Sequence, residues 1–368
     1  MKKLLLGSAV IALGLGFAAP AKAEVKLGLG GYFKGYVSWV DQDEPNGDAV
    51  RNADIIRDTE VHFTGETTLD NGLTVGAHIE TDADGGDGFE VDESYAYFSG
   101  AWGRVNFGNE DGAAYLLQVA APSADSNVDG IRQYVSPINY TALGIVGLTN
   151  GFTLDYANDF AQDSDKVTYL TPVFSGFQAG VSYTPDTGAA ADSFANSLKD
   201  DEGGFGDVYE AAVRYEGSYR DIGFSAGGGY TFASPESNVV AGPTIVTEYE
   251  DFNEWNAGLD LNMGPFGLGA VYTANEGGVI NSDSETWVVG GDYTTGPYKL
   301  GVSYLTTEAS PSATAVATNL ETDRYSAGLV YTYGPGLTFR GSIGYVDHEV
   351  AAGDADATYA LVGTQIEF

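Results

Sequence analysis

The stretch TDADGGDGFEVDE, residues 81–93, places six carboxylate side chains around three glycines. Carboxylate oxygens on a flexible, glycine-rich loop are ligands that suit Ca2+. The stretch is therefore a candidate calcium site, although it lacks the residue spacing of an EF-hand loop. Incidental acidity of a solvated loop is the alternative, and the rest of the sequence requires no cofactor. The candidate calcium ligands are Asp82, Asp84, Asp87 and Glu90.

The three histidines are the next residues that could do chemistry. His62 and His78 flank the Asp-Asn-Gly turn at 70–72, and strand alternation places both on one face of a hairpin, with His62 opposite Glu80. A His-Glu pair is not a catalytic triad, and the sequence shows no P-loop or metal-binding histidine cluster. We therefore interpret the histidines as polar lining in a protein that is not an enzyme.

The first 23 residues have the parts of a secretory signal peptide. Lys2 and Lys3 precede an apolar run, and Ala21-Lys22-Ala23 is a small-x-small cleavage site. We predict that residues 1–23 are removed and that residues 24–368 are exported as one domain, since no linker interrupts them. The chain has no cysteine, so no disulfide stabilises it after export.

Acidic residues dominate the charge of the chain. It carries 52 acidic and 16 basic residues, a net charge of -36, and loss of the three leader lysines takes this to about -39. Such a charge argues against nucleic-acid binding, which requires a basic surface, and favours cations. No segment after the leader has the apolar length of a transmembrane helix.

Period-two alternation runs through the whole chain, whereas stretches with helical periodicity are scarce. Residues 26–40 alternate an apolar set with a set rich in lysine, serine and tyrosine, and residues 298–305 alternate in the same way. The chain also ends on this pattern, because Ile366 and Phe368 share one face while Glu367 faces the other. A terminus patterned in this way belongs to a sheet.

Tight turns alternate with long, acidic or Ser/Ala-rich loops along the sequence. Seven short turns and eight long loops join sixteen strands, which predicts an all-β, antiparallel, up-and-down architecture. Pairing the first strand with the last closes the sheet into a barrel without edges. A further hairpin at 144–156 would give eighteen strands, which is the alternative. The predicted turns lie at 69–73, 99–102, 172–176, 219–222, 263–266, 295–298 and 333–336.

Aromatic residues indicate which face of the barrel meets lipid. Tyrosines recur near one end of the apolar faces, and rows of aromatics border the apolar band of transmembrane barrels. The opposite faces carry Gly, Ser, Thr and charged residues, which a soluble core would exclude. We therefore predict a transmembrane β-barrel with a polar lumen; a soluble β-sandwich or β-helix is the alternative. The bordering tyrosines include Tyr183, Tyr230, Tyr272, Tyr304 and Tyr345.

The exported chain resembles the general-diffusion porins of the Gram-negative outer membrane, and most of all those of alphaproteobacteria. The leader, the hairpins at 94–116 and 165–185 and the terminal Phe368 carry the resemblance. It implies a homotrimer of sixteen-stranded barrels in contact with outer-membrane lipid and lipopolysaccharide. Ions and small hydrophilic solutes would diffuse through the water-filled lumen of each barrel. Phe368 would close the barrel and resembles the tag that the insertion machinery reads.

The resemblance also implies that the long loop at 110–164, named loop 3 here, folds into the lumen and faces a basic wall. The chain reads Gly108-Asn109-Glu110 where enterobacterial relatives have Gly-Arg-Asn, and it lacks their Pro-Glu-Phe-Gly-Gly stretch. We therefore expect a thinner basic wall and a preference for cations. The expected constriction acids are Glu110, Asp111, Asp125 and Asp129. By strand parity the lumen-facing bases are Lys34, Arg104, Lys166, Arg214, Lys299, Arg324 and Arg340, with Lys34 and Arg104 nearest the constriction.

Other roles stay open at this point. Each of these charges could simply be solvated or paired across strands. Tyr32, Tyr36, Tyr95 and Tyr97 could line the lumen, which would favour a sugar-specific channel. The long outer loops could instead serve an adhesive or binding barrel.

Overall fold

The structure is a computed structural model that describes most of the chain after the predicted leader. The described residues are 24–44, 47, 49–83, 89–125, 128–143, 155–187, 204–236, 239–241, 246–279, 282–310, 320–350 and 353–368. The predicted leader at 1–23 lies outside them, so its removal stays a prediction. Among the described residues, no helix has the length and apolar character needed to span a membrane.

Sixteen antiparallel strands of the described residues form one closed wall, which confirms the predicted barrel. These strands are β1 (Lys26–Gln42), β2 (Ala53–Thr68), β3 (Thr74–Asp82), β4 (Glu90–Gly100), β5 (Gly103–Asn109), β8 (Asp165–Leu170), β9 (Phe177–Asp186), β10 (Phe205–Tyr219), β11 (Ile222–Pro235), β13 (Val246–Met263), β14 (Phe266–Val279), β15 (Asp283–Thr295), β16 (Tyr298–Ser310), β17 (Leu320–Gly334), β18 (Leu337–Val350) and β19 (Gly353–Glu367). The predicted tight turns join neighbouring wall strands at one end of the barrel.

Smaller elements stand outside the wall. Loop 3 contains the helices α1 (Ala113–Leu116) and α2 (Tyr140–Leu143) and a hairpin of β6 (Val128–Asp129) with β7 (Arg132–Gln133). The short strand β12 (Val239–Ala241) pairs with the first residues of β13.

The two strands that flank loop 3 are direct neighbours in the wall. β5 pairs with β8 from Arg104 opposite Leu170 to Asn109 opposite Asp165. No further hairpin can therefore enter the wall between these paired strands, and the eighteen-strand alternative is wrong. Residues 144–154 of that alternative lie outside the described part of the chain.

The chain ends close the barrel as the terminal pattern predicts. β1 pairs with β19 from Tyr32 opposite Glu367 to Gln42 opposite Ala357. Beyond the last strand, the backbone N–H of Phe368 donates to the carbonyl oxygen of Gly31, and the N–H of Gly31 donates back, both at 3.1 Å. The closing strand thus leaves no open edge between the first and last wall strands.

Two aromatic rows border the apolar outer face. Tyr304 lies beside Tyr325 with 4.9 Å between ring centroids, and Tyr298 lies beside Tyr331 at 5.0 Å. The rows are six residues apart on each strand, about 20 Å along an extended chain. Between them stand exposed aliphatic side chains such as Val302, which is 61% exposed. This outer face has the pattern of a barrel in contact with lipid.

A trough of wall glycines seats loop 3 against the lumen wall. An added Cβ on Gly258 would lie 2.9 Å from Val119, and one on Gly301 would lie 2.7 Å from the backbone nitrogen of Ala124. Only glycine allows the loop to approach the wall so closely at these points. The trough comprises Gly180, Gly227, Gly229, Gly258, Gly269, Gly290, Gly301 and Gly328.

Part of the lumen wall is apolar, which the sequence analysis did not predict. Val271, Leu305 and Leu361 face inward and are fully buried, and Ile131 and Leu143 of loop 3 belong to the same hydrophobic cluster. The predicted polar lumen therefore does not extend beneath loop 3, where the wall is apolar. The physical reason is that the loop must itself remove apolar side chains from water, so it needs an apolar partner on the wall.

Candidate pore-lining site

Lys166 joins the two ends of loop 3. This buried side chain leaves β8, and its Nζ donates hydrogen bonds to the backbone oxygens of Glu110 and Gln162. Glu110 begins the loop and Gln162 stands close to its end. Lys166 thus faces inward as its parity predicts, but it contacts the loop backbone and is not exposed to pore water.

Arg132 organises the acids within loop 3. Its Nη2 lies 3.1 Å from Oδ1 of Asp111 and also donates to Oδ2 of Asp159, while the guanidinium stacks 4.5 Å from the ring centroid of Tyr115. Burial raises the pKa of Asp159 well above its ordinary value; the Asp111 charge adds to this and Arg132 opposes it. Sequence reasoning missed Arg132, although it is the single Lys or Arg between residues 110 and 164.

The other predicted constriction acids are held by protein groups. Glu110 is buried, its Oε1 accepts a hydrogen bond from Asn106, and burial raises its pKa to about 8. Asp125 is buried too, and its Oδ2 accepts a hydrogen bond from the Tyr359 hydroxyl at 3.0 Å. Asp129 pairs through its backbone with Arg132 in the β6–β7 hairpin, and its side chain lies outside the described atoms. Neither Glu110 nor Asp125 therefore projects freely into pore water.

Lys34 is the wall base that meets loop 3 most directly. Its Nζ lies 3.4 Å from Oδ2 of Asp58 on the next strand and 3.2 Å from the ring centroid of Tyr134 in loop 3. The cation is thus shared between a wall carboxylate and a loop aromatic, an arrangement that stabilises a desolvated ammonium group. Lys34 therefore lies against loop 3, and its place at a constriction stays a prediction.

Arg104 lies closer to the short-turn end of the lumen. Its guanidinium stands 4.1 Å from the ring centroid of Tyr97, and its Nε donates to Asn106 at 2.6 Å. Because Asn106 in turn donates to Glu110, Arg104 reaches the start of loop 3 through one intervening side chain.

The remaining predicted bases are spread around the wall. Arg214 donates from Nη1 to the backbone oxygen of Gln118 in loop 3 at 3.1 Å. Lys299 pairs with Asp292 at 3.1 Å near the short turns. Arg324 is buried on the inner face of β17, and Arg340 is partly buried on the inner face of β18. The structure does not bring these four bases together.

A β-bulge in β4 adds a carboxylate to the part of the lumen wall that β2, β3 and β4 form. Ile79 pairs with Ser94 and Thr81 with Val91, so two residues of β4, Asp92 and Glu93, stand opposite one residue of β3. Such a bulge re-aims a side chain that plain alternation would turn outward. Parity counting from the sequence misses this arrangement because the extra residue shifts the register.

These residues belong to an acidic strip on β2–β4 that meets loop 3. The carboxylates of Asp58, Glu60 and Asp82 lie within 4.8 Å of one another, and so do those of Glu93, Asp111 and Asp163. The second triplet joins the wall to loop 3. The acidic strip consists of Asp58, Glu60, Glu80, Asp82, Asp92 and Glu93 on the wall with Asp111 and Asp163 on the loop.

The candidate calcium ligands are only partly described. Asp82 stands opposite Glu90 in the register of β3 and β4, which places them at the two ends of the loop that joins these strands. Asp84 and Asp87 fall within 84–88, outside the described residues. Calcium binding here stays a prediction.

An aromatic track runs beside the acidic strip. Ring centroids are 6.1 Å apart for Tyr134 and Tyr32, 6.3 Å for Tyr32 and His62, and 5.3 Å for His78 and Tyr95. Tyr32 and Tyr95 thus belong to this row of rings. The complete track is Tyr134, Tyr32, His62, His78, Tyr95 and Tyr97. Tyr36 instead is buried in the apolar cluster beneath loop 3.

Two of the histidines meet across strands. The register pairs His62 with Glu80, as predicted, and places His78 one ring away at 5.7 Å between centroids. Ligand atoms of His62, His78 and Glu80 all lie within 4.8 Å of one another. Cross-strand pairing thus brings the three side chains together on one face of the β2–β3 hairpin.

Comparison with known proteins gives this lumen a family context. A family model described as Gram-negative porin matches residues 7–351. The chain belongs to this family. Gram-negative porins are channels of the outer membrane and not enzymes, and this porin has the closed barrel that such a channel requires.

Curated relatives match the porin over a short region. It is 32% identical to an uncharacterized protein of Rickettsia conorii over 106 residues, which are 26% of this chain and 24% of that protein. An uncharacterized protein of Rickettsia typhi is 29% identical over the same length. The aligned region spans about a quarter of the length of these relatives.

Solved outer-membrane proteins share the whole fold at low identity. An anion-selective porin from Comamonas acidovorans is 18% identical with a TM-score of 0.64, covering 94% of this chain and 100% of that one. The trimer form of OmpT of Vibrio cholerae is 14% identical with a TM-score of 0.63, covering 94% and 99%. The outer membrane channel DcaP of Acinetobacter baumannii is 13% identical with a TM-score of 0.63, covering 96% and 99%. These similarities show the sixteen-stranded barrel fold.

Proposed function

We propose that the porin is a passive diffusion channel for ions and small hydrophilic solutes, that it prefers cations, and that it assembles as a homotrimer. The acidic strip carries this proposal. It gathers eight carboxylates on one side of the passage, and Lys34 and Arg132 contact it through Asp58 and Asp111. A pore whose wall bears an excess of fixed negative charge concentrates cations and repels anions.

Ion pairs within loop 3 support the proposed preference for cations. Arg132 bridges two carboxylates of the loop itself, so its charge is already balanced. Lys34 is buried between Asp58 and Tyr134. The bases nearest the passage are thus partly neutralised by protein groups. The porin from Comamonas acidovorans is described as anion-selective, so the barrel fold alone does not set the sign of selectivity.

Single-channel recording of the refolded porin under a KCl gradient tests the proposal. We expect stepwise conductance in groups of three and a reversal potential that reports K+ over Cl-. Replacing Glu60 by Gln and Asp82 by Asn should lower the permeability ratio by several fold. The matched control is Asp292→Asn, which removes a lumen acid paired with Lys299, away from the strip. Anion preference in the wild type would overturn the proposed selectivity.

The aromatic track favours a second candidate, a channel selective for sugars. Aromatic rings in a row offer flat apolar surfaces to the ring faces of a sugar, and the neighbouring carboxylates accept hydrogen bonds from hydroxyls. Saturable block of the KCl current by a maltooligosaccharide, relieved by Tyr32→Ala, would support this function. If the sugar lowers the current only in proportion to the viscosity that it adds to the solution, the result would support general diffusion.

A further inference from the structure

We propose that His62, His78 and Glu80 form a binding site for a divalent transition-metal ion of the Zn2+ class on the lumen wall. The three side chains come from two neighbouring strands, β2 and β3, and all point into the lumen. The site is separate from the candidate calcium residues of the β3–β4 loop, and its ligand types differ from theirs.

The separations between ligand atoms fit a single small cation. Glu80 Oε1 lies 2.6 Å from His78 Nε2 and 3.5 Å from His62 Nδ1. A tetrahedral zinc ion with bonds of about 2.0–2.1 Å holds its ligand atoms about 3.3 Å from one another. The two observed distances bracket this value, so small side-chain rotations would complete the coordination. The fourth position would face the lumen and take a water molecule.

The second nitrogen of each imidazole is held by the wall. His62 directs Nδ1 towards Glu80 and places Nε2 3.1 Å from Oε2 of Glu60. His78 directs Nε2 towards Glu80 and places Nδ1 3.0 Å from the hydroxyl oxygen of Thr64. Metal-binding histidines are usually oriented in this way, through a hydrogen bond from the ring nitrogen that does not bind the metal. Both rings are therefore already turned to present one nitrogen to a common point.

The site is open to ions in the channel. The side chains of His62, His78 and Glu80 are 27%, 16% and 20% exposed, and they adjoin the acidic strip. The strip raises the local concentration of cations. Imidazole nitrogen favours zinc, copper and nickel, whereas Mg2+ and Ca2+ prefer sites made only of oxygen. The two histidines therefore make the site prefer transition-metal ions to Mg2+ and Ca2+.

Metal binding can be measured without reference to transport. We would titrate the folded, untagged porin with ZnCl2 by calorimetry and repeat the titration with MgCl2. We expect one Zn2+ per chain, with affinity reduced more than about tenfold by the double substitution His62→Asn and His78→Gln, and by Glu80→Gln. The control is His348→Gln, because this buried third histidine lies on β18 beside Thr322, away from the site.

The titration has outcomes that would overturn the site. Absence of Zn2+ binding by the wild type would show that the His-Glu contacts are polar wall lining only. Equal affinity in the wild type and the double variant would place the metal elsewhere, for example on acids of the β3–β4 loop. Thermal unfolding of each variant without metal checks that a lost affinity does not reflect a lost fold.

A second consequence rests on the proposed channel function. Bound Zn2+ adds two positive charges beside the acidic strip, so micromolar Zn2+ should reduce K+ current in the wild type but not in the double variant. If the porin binds Zn2+ yet never conducts, the channel proposal fails and the metal site stands. If it conducts and neither binds nor responds to Zn2+, the metal site fails and the channel proposal stands.

Discussion

The carbonyl oxygen of Pro122 in loop 3 occupies the space that a Cβ on Gly290 would need. Gly290 lies on the inner face of β15, in the middle of the glycine trough. Its neighbour Gly291 faces the other way, where an added Cβ would lie 3.5 Å from the nearest atom, an ordinary contact. Two adjacent glycines thus differ in whether loop 3 depends on them.

We expect Gly290→Ala to push loop 3 away from the wall. The added methyl overpacks the contact and should lower the free energy of unfolding by about 1–3 kcal/mol. The displaced loop should also narrow the passage and reduce the single-channel conductance. Gly291→Ala is the matched control and should leave both quantities near the wild type. Unchanged conductance and unfolding temperature in Gly290→Ala would show that the trough does not set the position of the loop.

Arg132→Gln should loosen loop 3 and increase the preference for cations. Its removal leaves Asp111 and Asp159 without the guanidinium that bridges them. Arg132 is 29% exposed, so we expect a cost on the order of 2 kcal/mol, below that of breaking a fully buried pair. Limited proteolysis and the reversal potential measure the two effects.

Lys299→Met is the control for Arg132→Gln, because it removes one positive charge from the lumen wall without touching loop 3. Lys299→Met should shift the reversal potential less than Arg132→Gln does, and it should leave the proteolysis pattern unchanged. Equal effects of the two substitutions would mean that total lumen charge, and not the loop pairing, governs selectivity.

The cation preference should rise between pH 6 and pH 9. Burial raises the pKa of Glu110 to about 8, so this carboxyl gains its charge as the pH passes that value. The same shift makes the folded state hold a proton that the unfolded chain releases near pH 4.5. Its contribution to stability is therefore complete below about pH 4.5 and is lost as the pH rises through about 8. Reversal potentials at steps of one pH unit measure the first effect.

Glu110→Gln provides the comparison for this titration. The variant keeps a side chain that can accept the hydrogen bond from Asn106 but cannot ionise. We expect Glu110→Gln to abolish the part of the increase in cation preference that is centred near pH 8. A wild-type reversal potential that stays constant from pH 6 to pH 9 would contradict the assignment.

Deletion of Phe368 should weaken barrel closure. It removes the two backbone hydrogen bonds with Gly31, worth about 1 kcal/mol each, and an outward aromatic ring. Phe339→Ala is the control, since Phe339 is also outward-facing and is 47% exposed compared with 46% for Phe368. We expect slower refolding into vesicles and less protein in the outer membrane for the deletion alone. Equal losses for both variants would assign the effect to lipid contact.

The sequence by itself determined the wall of this porin. Alternation along a strand and the chemistry of a tight turn are local properties, so they can be read without knowledge of the remaining chain. The parity of Ile366 and Phe368 thus predicted the closing strand, and seven turns predicted the strand count. The same period of two predicted which side chains face the lumen and which face outward.

Only the tertiary structure decided what the lumen looks like. Asp125 meets Tyr359, 234 residues later in the chain, because barrel closure brings β19 beneath loop 3. Such contacts depend on register, closure and bulges, and the extra residue at Asp92 and Glu93 breaks the parity on which counting relies. The same long-range packing seats loop 3 in its glycine trough and turns Arg132 towards two acids. Side-chain type and spacing indicate candidates for these roles, but their partners are set by where the folded chain places each strand.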